Sequence, residues 1–556
     1  MAAPALLLLL ALALSSTLAA VDPVGEVPSA PTAAAAAAAL SAPPAVGPSF
    51  RKSEVVHIDA GLTLQGEVLD VGIGDVDGVP GNELSVAVYD RSLRRRELRV
   101  YGLPAGGGRT PEPVLTVPIK SDVLAWCWAE VRDEPGKELV LLTRSGAWAY
   151  APGGEGYRDI LRLVRQDLLY DVADPGELPR WPYVLPDADG DALLLPGIDG
   201  FAIWGPGGED GAYVSGPLFE EQRVTDLRSF RGEGGSVVLA SGGIQLTGNF
   251  HQGLAESRIA MPEPHLVSAS ARIDAPALLD VDGDGRLDVL RWRDGQLELH
   301  LAGPEGISIE PTRRERWAEQ LTEGSGRLHA TLRDLDGDGD LDVLANLRSE
   351  RGGVMETNRT ITLFVLINDG DALLPEQPRQ LFKFEAAALL SDVADVNGDG
   401  LPDLVVTKLL GPSVLELTSP EGLKLTRSAV VFFGHGDGRF DKRPSIELEK
   451  TYGITSLDGA ITERALRLDL DGDGIADLVD TDLRGNTVVH RTRLESSFFG
   501  GDTWEIEPTP WRRFEGQADM QATEVLDVNG DGLGDVLSHR GGRLTLLLSH
   551  RVGVGR

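Results

Sequence analysis

The chain has 556 residues, a formal charge of −34 from 86 acidic against 52 basic side chains, nine histidines and one cysteine. An acidic excess of this size repels nucleic-acid phosphates and anionic headgroups, whose binding depends on Lys and Arg, and so excludes nucleic acid as the expected partner. Cys127 stands alone, so no intrachain disulfide can form and stability outside the cytoplasm must come from core size and bound ions.

From the N-terminus, residues 6–14 form an apolar run of signal-peptide length, and Thr17-Leu18-Ala19-Ala20 offers small residues for cleavage. The run is shorter than the roughly 20 apolar residues a spanning helix needs. Residues 1–20 are therefore expected to be a signal peptide, the product secreted or periplasmic, with no transmembrane segment after it. Residues 21–48, rich in Ala and Pro with an unbroken alanine run at 33–39, cannot bury enough surface to fold and are read as a flexible leader. Residues 49–556 are read as one repeat-built domain.

Three partial copies of an acidic phrase come first. Asp75-Val76-Asp77-Gly78 leads through Asn82-Glu83 into an apolar strand; residues 130–138 run into Leu139-Val140-Leu141-Leu142; Asp187-Ala188-Asp189-Gly190-Asp191 runs into Leu193-Leu194-Leu195. The copies at Asp75 and Asp187 are read as metal-free turns and the one at Glu130 as structural. A fainter unit lies near residues 228–239. Five full copies then follow, nine residues each, with starts 54, 61, 74 and 58 residues apart (334 − 280, 395 − 334, 469 − 395, 527 − 469).

In those copies, positions 1, 3, 5 and 9 are Asp280, Asp282, Asp284 and Asp288; Asp334, Asp336, Asp338 and Asp342; Asp395, Asn397, Asp399 and Asp403; Asp469, Asp471, Asp473 and Asp477; and Asp527, Asn529, Asp531 and Asp535. Hard oxygens converging from a tight loop are the ligand set of calcium, with the backbone carbonyl of position 7 as a further donor: Arg286, Asp340, Leu401, Ile475 and Leu533. Zinc or copper would call for histidine or thiolate. Position 6 is glycine in every copy, where the chain must turn sharply. About five structural calcium ions are thus expected. A helix-flanked calcium loop would need Glu at position 12, which here is Arg291, Ala345, Val406, Asp480 or Ser538, and the flanks read as strands.

Between the loops, apolar and polar residues alternate, as in 296–300 and 327–332, and Gly or Pro breaks the runs every dozen or so residues. Units of about 50–60 residues with four strands each predict an all-β chain, a β-propeller of about eight (seven to nine) four-stranded blades. The last unit is one strand short, while residues 49–58 resemble 439–448, which lead into an outer strand. The N-terminal strand is therefore expected to complete the C-terminal blade.

The phrase Asp-x-Asp/Asn-Gly-Asp-Gly-x-x-Asp before an apolar strand resembles the FG-GAP or VCBS repeat family, and residues 431–440, with Phe433-Gly434, are similar to that family's phenylalanine-glycine turn. The resemblance implies a propeller like the head of integrin α chains, with calcium in the loops between the first two strands of a blade.

No His-Glu-x-x-His and no Gly-x-Ser-x-Gly elbow occurs. Trp126 and Trp128 are assigned to the core. Trp181, Trp204, Trp292, Trp317, Trp504 and Trp511 could stack on sugars but are read as blade packing. The expected function is a monomeric binding or scaffolding module for an extracytoplasmic protein or glycan; a polysaccharide lyase or hydrolase on the same scaffold is the alternative.

Overall fold

The structure, a computed structural model, describes residues 55–220, 238–240 and 277–551, apart from short stretches such as 104–109, 151–159, 169–177, 350–357, 412–423, 454–464 and 515–522. The expected signal peptide and leader lie outside the described residues.

The described elements are strands, and nearly all fall into eight antiparallel sheets of four main strands each, with a separate hairpin between the third and fourth strands of blades 4 and 7. Blade 1 comprises Glu67–Gly74, Asn82–Asp90, Arg95–Leu103 and Leu115–Ile119. Blade 2 comprises Val123–Ala129, Glu138–Thr143, Gly146–Tyr150 and Ile160–Arg162. Blade 3 is Val184–Leu185, Ala192–Gly197, Gly200–Gly205 and Val214–Glu220; blade 4 is Ala277–Leu279, Asp288–Arg293, Gln296–His300 and Arg313–Glu315. Blade 5 is Gly326–Arg333, Asp342–Ser349, Arg359–Leu366 and Gln380–Ala386; blade 6 is Ala388–Ala394, Asp403–Leu410, Lys424–Phe432 and Ile446–Gly453. Blade 7 is Ala465–Leu466, Leu478–Thr481, Thr487–His490 and Arg512–Phe514, and blade 8 begins with Thr523–Leu526, Asp535–Arg540 and Arg543–Arg551.

The fourth strand of blade 8 is N-terminal: Val55–Asp59 pairs antiparallel with Arg543–Arg551 from Val55↔Arg551 to Asp59↔Leu547. The ring is closed as the sequence anticipates, by sealing an edge that would otherwise template pairing with another chain. Removing residues 1–59 should therefore lower soluble yield and strip hydrogen-exchange protection from residues 543–551. Removal of 1–48 should change neither.

Apolar layers between blades form the core and run round the ring. Trp126 and Trp128 join blades 1 and 2, Leu193 and Trp181 lie between 2 and 3, and a larger cluster with Phe219, Leu290 and Leu344's neighbour Val343 spans 3, 4 and 5. Phe382 and Phe432 tie 5 to 6, Val431 and Leu478 tie 6 to 7, Val479 and Val536 tie 7 to 8, and Leu546 and Val86 return to blade 1. A second strand thus has a neighbour on both faces, and Glu138–Thr143 and Ala192–Gly197 are buried at every position. This is why these strands read as continuous apolar runs rather than alternating ones. Trp181 and Trp317 are buried as expected; the side chain of Trp292 lies outside the described residues.

The unit anticipated near residues 228–239 falls almost wholly outside the described residues. Where the chain is described again, Val238–Ala240 pairs with Gly326–Arg333 on the inner edge of blade 5. Blade 2 is flanked similarly on its inner edge: Trp126 N donates to Pro179 O at 3.1 Å, and Trp181 N to Trp126 O at 2.5 Å.

Candidate metal-binding turns

Each acidic phrase forms the turn between the first and second strands of its blade, and its nine positions divide into distinct tasks. Position 9 begins the second strand, or in blade 7 immediately precedes it, and is the most buried: Asp288, Asp342, Asp403 and Asp535 have no exposed surface and Asp477 is 1 % exposed. One carboxylate oxygen accepts the N–H of position 2 and the other accepts an N–H just past the third strand or, in blade 8, near its end. Asp342 takes Leu335 N and Asn368 N, both at 2.7 Å; Asp535 takes Val528 N at 2.8 Å and Ser549 N at 2.6 Å. Asp288, Asp403 and Asp477 repeat the pattern with Val281 and Ala302, Val396 and Gly434, and Leu470 and Thr492. Position 9 is therefore a staple across three strands as well as a candidate ligand.

Positions 1, 3 and 5 close the turn. Asp395 accepts Gly398 N at 2.8 Å and Gly400 N at 2.9 Å, Asn397 Oδ1 accepts Asp399 N at 2.8 Å, and Asp399 Oδ1 accepts Leu401 N at 2.9 Å. The same bonds recur from Asp334 and Asp469. Position 6 has positive φ in all five copies, 80° to 98°.

This folding brings together one oxygen from each of Asp280, Asp282 and Asp288, of Asp334, Asp336 and Asp342, and of Asp469, Asp471 and Asp477, all within 4.8 Å of one another. Oxygens bound to one calcium at about 2.3–2.6 Å can lie up to about 5.2 Å apart, so each triad fits a single ion. The fit is most direct in blade 4, where Asp280 Oδ1 and Asp282 Oδ1 are shielded from solvent and accept no hydrogen bond. In blades 6 and 8 an asparagine at position 3, Asn397 or Asn529, replaces the middle carboxylate. Asp284 is engaged by Arg286, and Asp471 by Arg491 at 2.6 Å.

Crowding and burial raise these acids. Asp288 and Asp403 are pushed up to about 7, and Asp342, Asp477 and Asp535 to about 8, first by burial and then by neighbouring carboxylates of the same turn. Asp473 reaches about 7 for the same reasons. A divalent cation would reverse both effects, since it favours the ionised form and cancels the mutual repulsion.

The first turn, read from the sequence as metal-free, gathers a triad of the same kind. Asp75, Asp77 and Glu83 bring their oxygens within the same 4.8 Å span, and buried Glu83 accepts Val76 N at 2.7 Å just as position-9 aspartates do. The signal was a glutamate at position 9, which keeps the 1–3–9 spacing with a longer arm. Blade 2 keeps only the staple: Glu138 accepts Val131 N at 2.9 Å, and position 3 is Arg132, whose guanidinium charge opposes the burial that raises Glu138. Residues 187–189 lie outside the described residues. Asp191 Oδ2 accepts Glu130 N at 2.8 Å, so this acid serves the neighbouring turn.

The turns are also joined to one another round one face of the ring. The position-8 N–H of one blade donates to the position-2 carbonyl of the blade before it: Lys137 to Val76 at 2.8 Å, Leu341 to Val281 at 2.9 Å, Ala476 to Val396 at 3.1 Å. Asn82 reaches Val528 O at 2.7 Å with its side chain, and Gly534 N uses Asp469 O at 2.7 Å. Blade 6 has Pro402 at position 8, which has no N–H to give. Its carbonyl instead meets the phenylalanine-glycine turn, where a Cβ on Gly434 would lie 2.0 Å from Pro402 O.

Close packing of turns makes a testable contrast. A Cβ on Gly398 would lie 2.2 Å from Gly474 O in blade 7, whereas one on Gly400 meets nothing within 4 Å; both have positive φ, 76° and 84°. Gly400→Ala should cost the left-handed strain alone, about 1–2 kcal/mol. Gly398→Ala should cost clearly more and perturb blades 6 and 7 together, as read by denaturant midpoint and hydrogen exchange.

Among comparisons with known proteins, residues 280–345 and 334–406 match the FG-GAP-like repeat family. No curated protein matches the chain. Solved structures with partial likeness include a lectin of Agrocybe aegerita described as specifically recognising non-reducing terminal N-acetylglucosamine (15 % identity, 79 % of this chain and 90 % of that chain, TM-score 0.33). Others are Sqt1 from Chaetomium thermophilum (11 %, 89 % and 100 %, 0.39) and the V. cholerae biofilm matrix protein Bap1 (8 %, 91 % and 89 %, 0.26). By its own sheet pairing the chain is an eight-bladed β-propeller with an acidic turn recurring between first and second strands. More particularly, the segment that carries the turns of blades 4, 5 and 6 matches the FG-GAP-like repeat.

Proposed function

We propose that the chain is an exported, calcium-stabilised β-propeller that acts as a binding or scaffolding module for a protein or glycan outside the cytoplasm. One observation carries this reading: the clustered acids are committed to the scaffold. Each position-9 carboxylate is buried and bonded to two backbone amides, so an ion held there would brace three strands rather than activate a substrate. Positions 1, 3, 5 and 9 with the position-7 carbonyl nearly fill a calcium coordination sphere. No helix among the described residues is long and apolar enough to cross a membrane. The N-terminal apolar run supports export.

The reading is tested by glycan-array binding run beside a polysaccharide-degradation screen, each with calcium and with chelator, and by elemental analysis of undepleted protein. Saturable binding without turnover and about five calcium ions per chain are expected. Depolymerisation of any purified polysaccharide, or protein without calcium, would overturn it.

A further inference from the structure

Antiparallel strands place the turns between second and third strands on the face opposite the acidic turns, and over blades 8, 1 and 2 that face carries arginines. In blade 1 the turn is Arg91-Ser92-Leu93-Arg94, followed by Arg95; Arg94 has φ 49°, the one positive value outside glycine among the described residues. Asp90 Oδ1 fixes the turn by accepting Ser92 N at 2.8 Å and Leu93 N at 3.1 Å. A residue held in that left-handed conformation marks a tip whose shape is imposed by its surroundings.

The three turns are continuous. In blade 8, Gly542 O accepts Leu64 N at 2.7 Å beside exposed Arg543, and Gly542 packs on Gly66. Next to Gly66, Glu67 pairs with Arg91 at 2.6 Å. Buried Arg96 donates to Val123 O at 3.0 Å, and Val123 pairs with Thr143, next to Arg144 in the blade 2 turn. There Arg162 donates to Ser145 O at 2.9 Å and its guanidinium lies 5.1 Å from the centre of the Trp148 ring.

Arg91, Arg94, Arg95, Arg144, Arg162 and Arg543 thus share a strip with Glu67, Asp90 and Glu97 and with exposed Asp167, whose neighbour Leu168 donates to Arg144 O at 2.8 Å, while exposed Lys120 and Asp122 carry opposite charges. Glu67 is held by Arg91, and Glu97 by Arg95 and Arg99 at 2.7 and 2.8 Å. Arg94 and Arg543 have no acidic partner among the described residues. A ligand at the strip responds mainly to charges within the Debye length, about 8 Å at physiological salt, and so meets positive charge on a chain whose total is −34.

We propose that this strip binds an anionic glycan, a polymer with carboxylate or sulfate groups on successive sugars. Guanidinium forks match the paired oxygens of both groups. Arginines pre-set on rigid turns across three blades suit repeated acid groups along a chain better than a single small anion. The inference rests on the binding-module reading and names its ligand class and face.

The test measures binding of the protein, in millimolar calcium, to immobilised heparin, polygalacturonate, dextran and single-stranded DNA across a salt series. The variants are Arg91→Glu/Arg94→Glu/Arg543→Glu and the milder Arg94→Ala/Arg543→Ala, with Arg439→Glu on the acidic-turn face as control and Tm as the folding check. Expected is salt-sensitive binding of heparin or polygalacturonate, weakened roughly tenfold or more by the triple variant, measurably by the double, and unchanged by the control. No binding of either anionic polysaccharide, binding indifferent to both variants, or equally tight binding of DNA would overturn the proposal. Binding of neutral glycans alone would overturn it while leaving the binding-module reading standing; turnover of either polymer would remove that reading instead.

Discussion

Calcium removal is expected to lower Tm by about 2–7 °C at pH 7.5. Extracellular modules hold calcium with Kd of about 10⁻⁴–10⁻³ M, so at about 1 mM free ion each site adds roughly 0.4–1.4 kcal/mol and five add about 2–7. With an unfolding entropy of about 2.1 cal/mol/K per residue, a ring of about 500 residues shifts by about 1 °C per kcal/mol. The effect should grow with pH. In the ion-free fold Asp288 and Asp403 titrate near 7 and Asp342, Asp477 and Asp535 near 8, all above the roughly 3.9 of an unfolded aspartate. Between about pH 4 and 8 the native state then binds more protons than the unfolded one, so ion-free stability falls as pH rises through that window. Calcium binds the ionised form and cancels the loss. Scanning calorimetry with calcium and with chelator at pH 5.5 and 8 should show the larger difference at pH 8; an equal or smaller one would contradict the assignment.

The architecture was legible because the phrase repeats: eight units, their strand content and the closing N-terminal strand all follow from spacing and self-similarity. Other features were hidden for physical reasons. Glu83 in place of aspartate concealed a complete 1–3–9 triad in blade 1, since a glutamate reaches the same point along a longer arm. Arg132 marked the blade 2 turn as different, but not that Glu138 would keep its bond to Val131. The links between turns use backbone atoms and leave no composition signal except where Pro402 forbids one. The arginine strip is assembled from positions far apart in sequence, Arg91, Arg144 and Arg543, and becomes visible only once blades 8, 1 and 2 are neighbours.

The double duty of position 9 was equally hidden, and it separates the two roles by mutation. Asp342→Ala removes the one acceptor that Leu335 N and Asn368 N have among the described residues, in residues that are 1 % and 0 % exposed. Each buried amide left unsatisfied costs about 1–3 kcal/mol, so the variant should lose about 2–6 kcal/mol with calcium or with chelator. Asp338→Ala is the contrast: its Oδ1 accepts Asp340 N at 2.9 Å on the exposed side of the turn, where water replaces it. That variant should be nearly silent in chelator and lose only the ion's share, about 0.4–1.4 kcal/mol, in calcium. Denaturant midpoints in both conditions, with hydrogen exchange at Leu335 and Asn368, distinguish the cases. If Asp342→Ala were silent in chelator, the staple would contribute nothing of its own and position 9 would be a ligand alone.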